Sequence, residues 1–374
     1  MTTTLDDLRR FTVARNFSKP LTLKPALQKI SFLQADPIRA PARAQDLIVR
    51  HRVRNYHAGD LERHYPRLNI EEDYFINYGY VTKAISALMH PRSDTRVNRD
   101  EESAGPAGPE KKARLVLEFV RERGTVHPRE VDEHFSHGKV KNYWGGLSNA
   151  TTHLMDAMHY RGLLRIARRE NGIRIYQVCE HDNLPIDDGQ RSLRIDSLVD
   201  VVVRLYAPLP ASSLAYYVRR LRYAVPQWSE ALTGALQRAK ERLAHARVND
   251  VDWYWPVGEN PMAARSRVDQ EAAQNIVRLL APFDPVVHDR SRFELLWGWG
   301  YRFEAYTPAP KRKLGYYALP MLWRDRMIGW ANMSVKSGAL NSDFGYVQSQ
   351  PRERMFKREL EAEVDRLRLF LGVY

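Results

Sequence analysis

Apolar residues recur at helical and strand spacing along residues 112–180, which give the clearest local pattern in the chain. An apolar helix face over 113–120 is followed by a short strand-like stretch, a helix that begins at Pro128 and a third helix over 149–161. Asn171-Gly172 then separates two apolar stretches, as in a hairpin turn. This order predicts a winged helix whose third helix is the reading helix. The residues expected on the inward face of that helix are Ala150, Leu154, Ala157 and Met158.

The same pattern appears more weakly on both sides of this segment. Residues 190–262 contain three predicted helices, the last over 227–248, and then the strand-like stretch DVDWYWPV, so they predict a third winged helix. Residues 1–90 predict a divergent N-terminal winged-helix-like unit, with Thr4 as a helix cap. Residues 91–111 are polar and rich in Gly, Pro and Ser, which predicts a linker.

From residue 275 the pattern changes to short apolar stretches separated by Gly, Pro and charged breaks. We interpret RFELLWGW, YRFEAYT, GYYALPMLW and MIGWANM as strands, and the sequence after Pro351 as an amphipathic helix. Residues 275–374 therefore predict a β-barrel-like C-terminal domain with a terminal helix. The fold class predicted for the whole chain is α+β, with tandem winged-helix (helix-turn-helix) units before that domain.

A polar pair stands at the end of the short apolar run over residues 30–36, which Pro37 terminates and which we predict to be a strand. Gln34 and Asp36 are two residues apart, so their side chains would project from the same face of a strand. An amide and a carboxylate held together can orient one water and accept its proton, which makes this pair the candidate catalytic site. The alternative is that both side chains face solvent or cap a helix that we predict over 38–56.

An excess of basic residues is the second informative feature of the sequence. The chain of 374 residues contains 58 Lys and Arg against 45 Asp and Glu, a formal net charge of +13. Such an excess favours a polyanionic partner, because each phosphate contact releases condensed counterions. Nucleic acid is the leading expectation, whereas an anionic membrane surface and solubility alone are the alternatives.

Several clusters could make contacts with a nucleic acid backbone or with base edges. The alternative interpretations of these clusters are a solvated turn, a salt-bridged turn, and a helix cap with a polar face. A basic stripe is expected on the helix predicted over 38–56, at Arg39, Arg43, Arg50 and Arg54. The candidate DNA-binding residues are Arg39, Arg43, Thr151, Thr152, His153, Arg290, Arg292, Lys311, Arg312 and Lys313.

Other classes of chemistry find little support in the sequence. Cys179 is the only cysteine, which excludes an internal disulfide and a thiolate metal cluster and fits a reducing compartment. The histidines lack the His-Glu-x-x-His spacing, and neither a Gly-x-x-x-x-Gly-Lys loop nor a Gly-x-Ser-x-Gly elbow occurs. We therefore expect no metal and no cofactor. The N-terminus MTTTLDDLRRF lacks the apolar core of a signal peptide, so a cytoplasmic, nucleoid-associated protein is expected.

At family level the sequence resembles the bacterial winged-helix family of alkylpurine DNA glycosylases, which includes the azinomycin-resistance glycosylase and an interstrand-crosslink glycosylase. The resemblance is carried by LQADPIRAPARAQDLIVRHR, by the winged helix over 112–179, and by LLAPFDPVVHDRSRFELLWGWGYRFEAYTPAPKRKLGYYALPMLW. It spans nearly the whole chain. Gln34-Ala35-Asp36 resembles the Gln-x-Asp branch of the family, which is associated with broad repair rather than self-resistance.

The resemblance implies a C-shaped protein, with three winged helices and a β-rich C-terminal domain, that binds double-stranded DNA carrying alkylated purines. It further implies hydrolysis of the N-glycosidic bond of N7-alkylated purines, including bulky adducts and crosslinks, by a monomer that needs no protein partner. No lysine lies beside Gln34 and Asp36, so a monofunctional glycosylase is expected. Two departures from the family pattern bear on the site: Ala35 is smaller than the usual branched spacer, and Gly329-Trp330-Ala331-Asn332 stands where many relatives have Gly-Arg-x-Asp.

Two non-enzymatic hypotheses compete with this one. A winged-helix transcription regulator would use the helix over 149–161 equally well and would bind a specific operator without releasing a base. A DNA-architectural protein would bind in a salt-dependent manner with no preference for lesions.

Overall fold

The computed structural model describes residues 2–92, 109–135, 138–141, 147–181, 186–265 and 275–373. The chain divides into two compact units. The first comprises Met1–Leu61, Val199–Val218 and Leu236–Tyr374, and the second comprises Glu62–Leu198 and Arg219–Ala235. None of the described helices is long and apolar enough to cross a membrane.

The five-segment division expected from the sequence stays a prediction. Most of its linker, residues 93–108, lies outside the described residues, and a helix begins at Pro109, within the linker range expected from the sequence.

Short helices and strands make up residues 2–92. The Thr4 hydroxyl accepts a hydrogen bond from the Asp7 backbone N–H, and the Asp7 carboxylate accepts one from the Thr4 N–H, so Thr4 caps the first helix as predicted. The elements are α1 (Leu5–Asn16), α2 (Leu23–Ile30), β1 (Phe32–Gln34), α3 (Ala44–Val49), α4 (Asp60–His64), β2 (Ile70–Tyr74), β3 (Tyr78–Thr82) and α5 (Lys83–Met89).

The prediction of one helix over 38–56 is wrong, because only α3 forms there. Pro41 cannot donate a helical hydrogen bond, and the stretch before α3 is irregular. All six residues of α3 are buried, so this helix has no solvent face on which a basic stripe could continue. Arg50 does not belong to an exposed basic stripe either. Its side chain is 5% exposed, and its Nη2 lies 2.5 Å from Glu363 Oε1.

Residues 109–181 contain every helix and strand that the sequence predicts for a winged helix, together with one further small hairpin. The order of the main three-stranded sheet is β4-β8-β7, and Asn171 and Gly172 both have positive φ at its hairpin turn. The elements are α6 (Pro109–Arg123), β4 (Thr125–Val126), α7 (Pro128–Phe135), β5 (Lys139–Lys141), β6 (Leu147–Asn149), α8 (Ala150–Arg161), β7 (Leu164–Glu170) and β8 (Ile173–Val178).

The inward face predicted for α8 is partly wrong. Met158 is buried as expected, but Ala157 is exposed and Leu154 is only half-buried. The residues of α8 that are buried are Thr151, Met155, Met158 and His159. Two polar residues, Thr151 and His159, can be buried here because each has a hydrogen-bond partner inside the fold. His159 Nε2 forms a 2.8 Å hydrogen bond with the Glu72 carbonyl oxygen.

Residues 186–265 repeat a helical pattern that ends in a β-hairpin. The prediction of a single helix over 227–248 is wrong at its C-terminal end, because Ala244–Val248 pairs antiparallel with the next strand. The elements are α9 (Asp188–Tyr206), β9 (Leu209–Pro210), α10 (Ala211–Arg220), α11 (Leu232–Arg242), β10 (Ala244–Val248) and β11 (Val251–Trp255).

Residues 275–373 form a four-stranded antiparallel sheet of order β12-β13-β14-β15 and two helices. Two of the predicted strands are wrong. RFELLWGW lies mainly in a helix that Asp289 caps and Gly298 ends, and YRFEAYT is irregular. The elements are β12 (Val277–Leu279), α12 (Arg290–Trp297), β13 (Leu319–Trp323), β14 (Arg326–Lys336), β15 (Ala339–Tyr346) and α13 (Arg354–Leu371).

Short 3₁₀ turns connect several of these elements. They are Tyr65–Arg67, Leu221–Tyr223, Pro226–Ala231, Pro261–Arg265 and Ala309–Lys311.

Buried polar pairs fix the segment that follows β1 to the rest of the first unit. The Arg52 guanidinium forms a bidentate pair with Asp284, with N–O distances of 2.7 and 3.0 Å. The Tyr56 hydroxyl donates to Asp46 Oδ1 at 2.6 Å. These contacts hold both α3 and the turn after it, so the residues between β1 and α3 are positioned at their C-terminal end.

Candidate active site

The Asp36 carboxylate lies just beyond β1, in the irregular segment before α3. Its Oδ1 accepts a hydrogen bond from the Ile38 backbone N–H at 2.8 Å, which folds the chain around Pro37 in the manner of an Asx-turn. The Asp36 backbone N–H donates to Gln45 Oε1 at 3.3 Å. Asp36 is 9% exposed, so the carboxylate is held in place by the backbone and by α3 while it is largely withdrawn from water.

Burial raises the pKa of the Asp36 carboxyl above its ordinary value, and the Ile38 N–H opposes that rise. A carboxylate with a raised pKa is a stronger base than one in water, so this environment suits proton acceptance. The same withdrawal from water strengthens its interaction with a nearby positive charge.

Gln34 ends β1, after Phe32 and Leu33, each of which is 2% exposed. The two apolar residues place the strand in the core, and Gln34 itself is half-buried. Asp36 lies outside the strand, so the i and i+2 alternation of a strand does not set its direction. The Asx-turn and Gln45 set it instead.

A cavity of about 740 Å³ borders the segment that follows Asp36. From that segment it is lined by Arg39, Ala40 and Pro41, and from the C-terminal domain by residues that include Tyr317, in the turn before β13, and Asn332, in β14. The Asn332 side chain donates to the Leu314 carbonyl oxygen at 2.7 Å and so shapes this wall. Asn332 therefore stands at the cavity in the position where the sequence departs from the Gly-Arg-x-Asp pattern.

The candidate cations around this region differ in their environments. Arg39 is exposed and lines the cavity, and Arg43 is half-buried beside α3. Lys311 and Lys313 are exposed, so each can reach an external phosphate. Arg312 is half-buried, because Nε donates to the Thr307 carbonyl oxygen at 2.8 Å and the guanidinium lies over the Tyr316 ring.

The prediction that Arg292 contacts DNA is wrong. Its side chain is 0% exposed, and its guanidinium donates to the carbonyl oxygens of Pro208 at 2.8 Å and Pro285 at 3.1 Å. Arg290 is half-buried and donates to two backbone carbonyl oxygens, while its guanidinium lies 4.5 Å from the centre of the Tyr301 ring. A DNA contact by Arg290 stays a prediction.

The residues expected to read DNA on α8 also separate into two groups. Thr151 is 0% exposed and its hydroxyl donates to Asp132 Oδ1 at 2.8 Å, so the prediction of a DNA contact by this side chain is wrong. Thr152 and His153 are exposed and remain candidates.

Comparison with known proteins identifies the family of this chain. A family model described as "DNA glycosylase AlkZ-like" matches residues 27–370. The chain belongs to the AlkZ-like DNA glycosylase family. Its fold is similar to the structure of the Streptomyces sahachiroi DNA glycosylase AlkZ, with a TM-score of 0.62 and 12% sequence identity over 100% of this chain and 98% of that chain. Family membership makes DNA the substrate class and a glycosylase the class of enzyme.

Two residues of the candidate site were not identified from the sequence. Gln45 was overlooked because the helical pattern Ala44, Leu47, Ile48 places it off the apolar face, whereas α3 is buried on all sides. Tyr317 belongs to GYYALPMLW, which was interpreted only as a strand, yet it lines the cavity and is 2% exposed. The signal in the sequence that could have indicated its burial was its position two residues before β13, a strand whose residues are all buried.

Metal binding finds no support in the part of this AlkZ-like chain that the structure describes. Within that part, no three His, Cys, Asp or Glu side chains converge in a manner that could hold an ion.

Proposed function

We propose that this protein hydrolyses the N-glycosidic bond of N7-alkylated purines in DNA, including bulky adducts and interstrand crosslinks, as a monofunctional glycosylase. The observation that carries the proposal is the Asp36 carboxylate, buried two residues after Gln34 and followed in the chain by residues that line an arginine-edged cavity, in a chain of the AlkZ-like family. Gln34 orients the attacking water, and Asp36 accepts its proton.

The reaction needs little help with its leaving group. Alkylation at N7 gives the purine a positive charge, so cleavage of the C1′–N9 bond releases a neutral base, and the sugar passes through a state that resembles an oxocarbenium ion. A fixed carboxylate near that cation stabilises it, most strongly where water is excluded. Asp36 is buried and has a raised pKa, which suits both this stabilisation and proton transfer from water.

The proposed substrate is double-stranded DNA, bound by the exposed cations of the first unit. Arg39 lines the cavity, and Lys311 and Lys313 are exposed on the turn before the C-terminal sheet. Each lysine that meets a phosphate adds affinity that does not depend on base sequence. We further propose that the protein acts as a cytoplasmic, nucleoid-associated monomer.

A base-release assay tests the proposal. Purified protein is incubated with a methylated duplex and a crosslinked duplex, and free 7-methylguanine and unhooked strands are quantified. We expect release by the wild type, loss of release in Asp36→Asn and Gln34→Ala, and DNA affinity within about twofold of the wild type in both variants.

Asp46→Asn is a matched control for Asp36→Asn. Asp46 is also a buried carboxylate of this segment, but it accepts hydrogen bonds from the Tyr56 hydroxyl and the Gly59 N–H. Its replacement should lower stability while the folded fraction releases base at the normal rate. Full activity of Asp36→Asn would refute the proposed mechanism.

A transcription regulator is the alternative that the sequence raised, although membership of a glycosylase family favours the enzyme. Thr152 and His153 are exposed on α8, in the element that would enter a major groove. This function predicts binding to one operator sequence far tighter than to other duplexes, with no release of base. Selection of bound sequences from a random duplex pool, followed by the base-release assay, separates the two functions.

A further inference from the structure

A second cavity, of about 420 Å³, lies within the first unit and shares no lining residue with the cavity beside Arg39. Most of its wall comes from the end of α1, the loop from α1 to α2, α2 itself and the end of α9. Among its lining residues the only carboxylate is that of Glu259. We call it the basic cavity, because its cations are Arg15, Lys19, Lys29, Arg52 and Arg204.

Hydrogen bonds between these segments fix the wall of the basic cavity. Arg15 Nη2 donates to the Arg204 carbonyl oxygen at 2.6 Å and so joins the last turn of α1 to the last turn of α9. Lys29 Nζ donates to the Ser18 hydroxyl at 2.7 Å and so joins α2 to the loop after α1. The fold therefore holds the like charges of separate segments around one space.

Two of the five cations already have an acidic partner. Arg15 forms an ion pair with Glu259, and Arg52 forms its bidentate pair with Asp284. In the part of the chain that the structure describes, the other three cations form no ion pair with a carboxylate. These solvent-accessible cations are Lys19, Lys29 and Arg204. Three positive side chains therefore line one cavity without a compensating negative charge.

This arrangement of charges opposes the stability of the fold. Partial burial, together with the nearby Arg52 and Arg15, lowers the pKa of Lys29 below its ordinary value. Burial is also the largest cause that lowers the pKa of Arg15 to about 10, and the charges of Arg292 and Arg204 lower it further. An anion in the cavity would replace repulsion among these groups by attraction to each of them.

The number and arrangement of the donors indicate the class of ligand. A carboxylate presents two oxygens, whereas a phosphate group presents at least three strong acceptors and carries up to two negative charges. The unpaired cations come from three directions: Lys19 from the loop, Lys29 from α2 and Arg204 from the end of α9. We propose that the basic cavity is a binding site for a phosphate group.

This inference does not depend on the proposed release of bases, because it concerns a cavity that the reaction does not use. The phosphate group could belong to the backbone of a DNA strand or to a free phosphorylated molecule. The volume suits either source, since pockets for small ligands measure roughly 300–1,000 Å³.

A matched pair of variants on α2 tests the site. Lys29→Met removes a cation that lines the cavity, whereas Lys24→Met removes an exposed cation of the same helix that does not line it. Inorganic phosphate is titrated into each protein by calorimetry, with chloride and acetate at equal ionic strength for comparison. We expect the wild type and Lys24→Met to bind phosphate alike and Lys29→Met to bind it about tenfold more weakly, because one charge-assisted contact is lost.

Thermal unfolding distinguishes the loss of a ligand contact from damage to the fold. Phosphate should raise the melting temperature of the wild type, because it binds the folded state only. Without phosphate, Lys29→Met should be at least as stable as the wild type, since repulsion from Arg52 and Arg15 is relieved. Lys19→Met changes a different segment of the wall and should show the same loss of phosphate affinity.

A labelled duplex separates the two sources of the phosphate group. If a DNA strand occupies the basic cavity, Lys29→Met should bind the duplex more weakly than Lys24→Met, with a salt slope lower by about 1. If a free phosphorylated molecule occupies it, the two variants should bind the duplex alike while their phosphate affinities still differ. Equal behaviour of Lys29→Met and Lys24→Met in both titrations would overturn the inference, as would acetate binding as tight as that of phosphate.

Discussion

The ion pair between Arg52 and Asp284 should be the most sensitive stability contact near the candidate site. The Arg52 side chain is 8% exposed and that of Asp284 is 0% exposed, and the two make a bidentate pair at 2.7 and 3.0 Å. Arg52 also donates to the Ile48 carbonyl oxygen at 2.8 Å, so the pair joins the end of α3 to the loop before α12. The perturbation is Asp284→Ala, which leaves the guanidinium buried with only neutral acceptors.

The magnitude follows from the burial of the charge that remains. Removing one member of a buried pair costs about 3–5 kcal/mol, because the other charge stays away from water without compensation. Two further features place the effect in the upper part of this range. Asp284 Oδ1 also accepts the Val286 N–H at 3.0 Å, and Arg278 lies over the same Phe17 ring as Arg52, so the cations repel each other once the carboxylate is gone. In a domain of about 150–250 residues this loss corresponds to a decrease in Tm on the order of 10 °C.

Urea unfolding and calorimetry at pH 7 measure the effect. Glu353→Gln is the matched control, because Glu353 pairs with Arg324 at the same 2.7 Å distance but with both side chains 44–50% exposed, and an exposed pair contributes about 0.2–1 kcal/mol. The double variant Arg52→Met with Asp284→Ala should recover much of the loss, since no buried charge remains. An Asp284→Ala variant that is no less stable than Glu353→Gln would refute the reasoning.

Two further predictions concern DNA binding and the interior of the second unit. Lys311→Ala should weaken binding to all duplexes alike and reduce the slope of log K against log salt by about 1, which fluorescence anisotropy over a salt series measures. Thr151→Val should cost about 1–2 kcal/mol of stability in urea unfolding, because the Asp132 carboxylate loses its 2.8 Å donor. The folded Thr151→Val protein should bind DNA normally, and a selective loss of DNA affinity would restore Thr151 as a contact residue.

The sequence predicted elements best where local patterns and turn residues agreed. The segment over residues 112–180 is an example, since Asn171 and Gly172 adopt the positive φ values of a tight hairpin and the helices on both sides of β4 occur where expected. The Gln34-Ala35-Asp36 segment was found in the same way, from an apolar run ended by Pro37. In both cases the residues that indicate the structure lie within about ten positions of one another in the chain.

Tertiary context overrode the pattern elsewhere. RFELLWGW alternates like a strand, but Asp289 caps it as a helix, and its Arg292 becomes buried against backbone carbonyl oxygens from distant parts of the chain. Alternation could not reveal these partners, because Pro208 is 84 residues away. Tyr317 was missed for a related reason, since it comes to line one cavity with Arg39, Ala40 and Pro41 only when distant parts of the chain fold together.

The environment of Asp36 implies that catalysis and stability oppose each other at this residue. A carboxyl whose pKa is raised in the folded state stabilises the fold in acid and loses that contribution as the pH rises through the folded pKa. At neutral pH the ionised Asp36 therefore costs stability, which the buried pair of Arg52 and Asp284 helps to offset. Asp36→Asn should consequently raise the free energy of unfolding at pH 7 and change it less at pH 4, while it abolishes base release. Denaturation of both proteins at the two pH values measures the difference, and a variant less stable than the wild type at pH 7 would show that Asp36 serves the fold rather than the reaction.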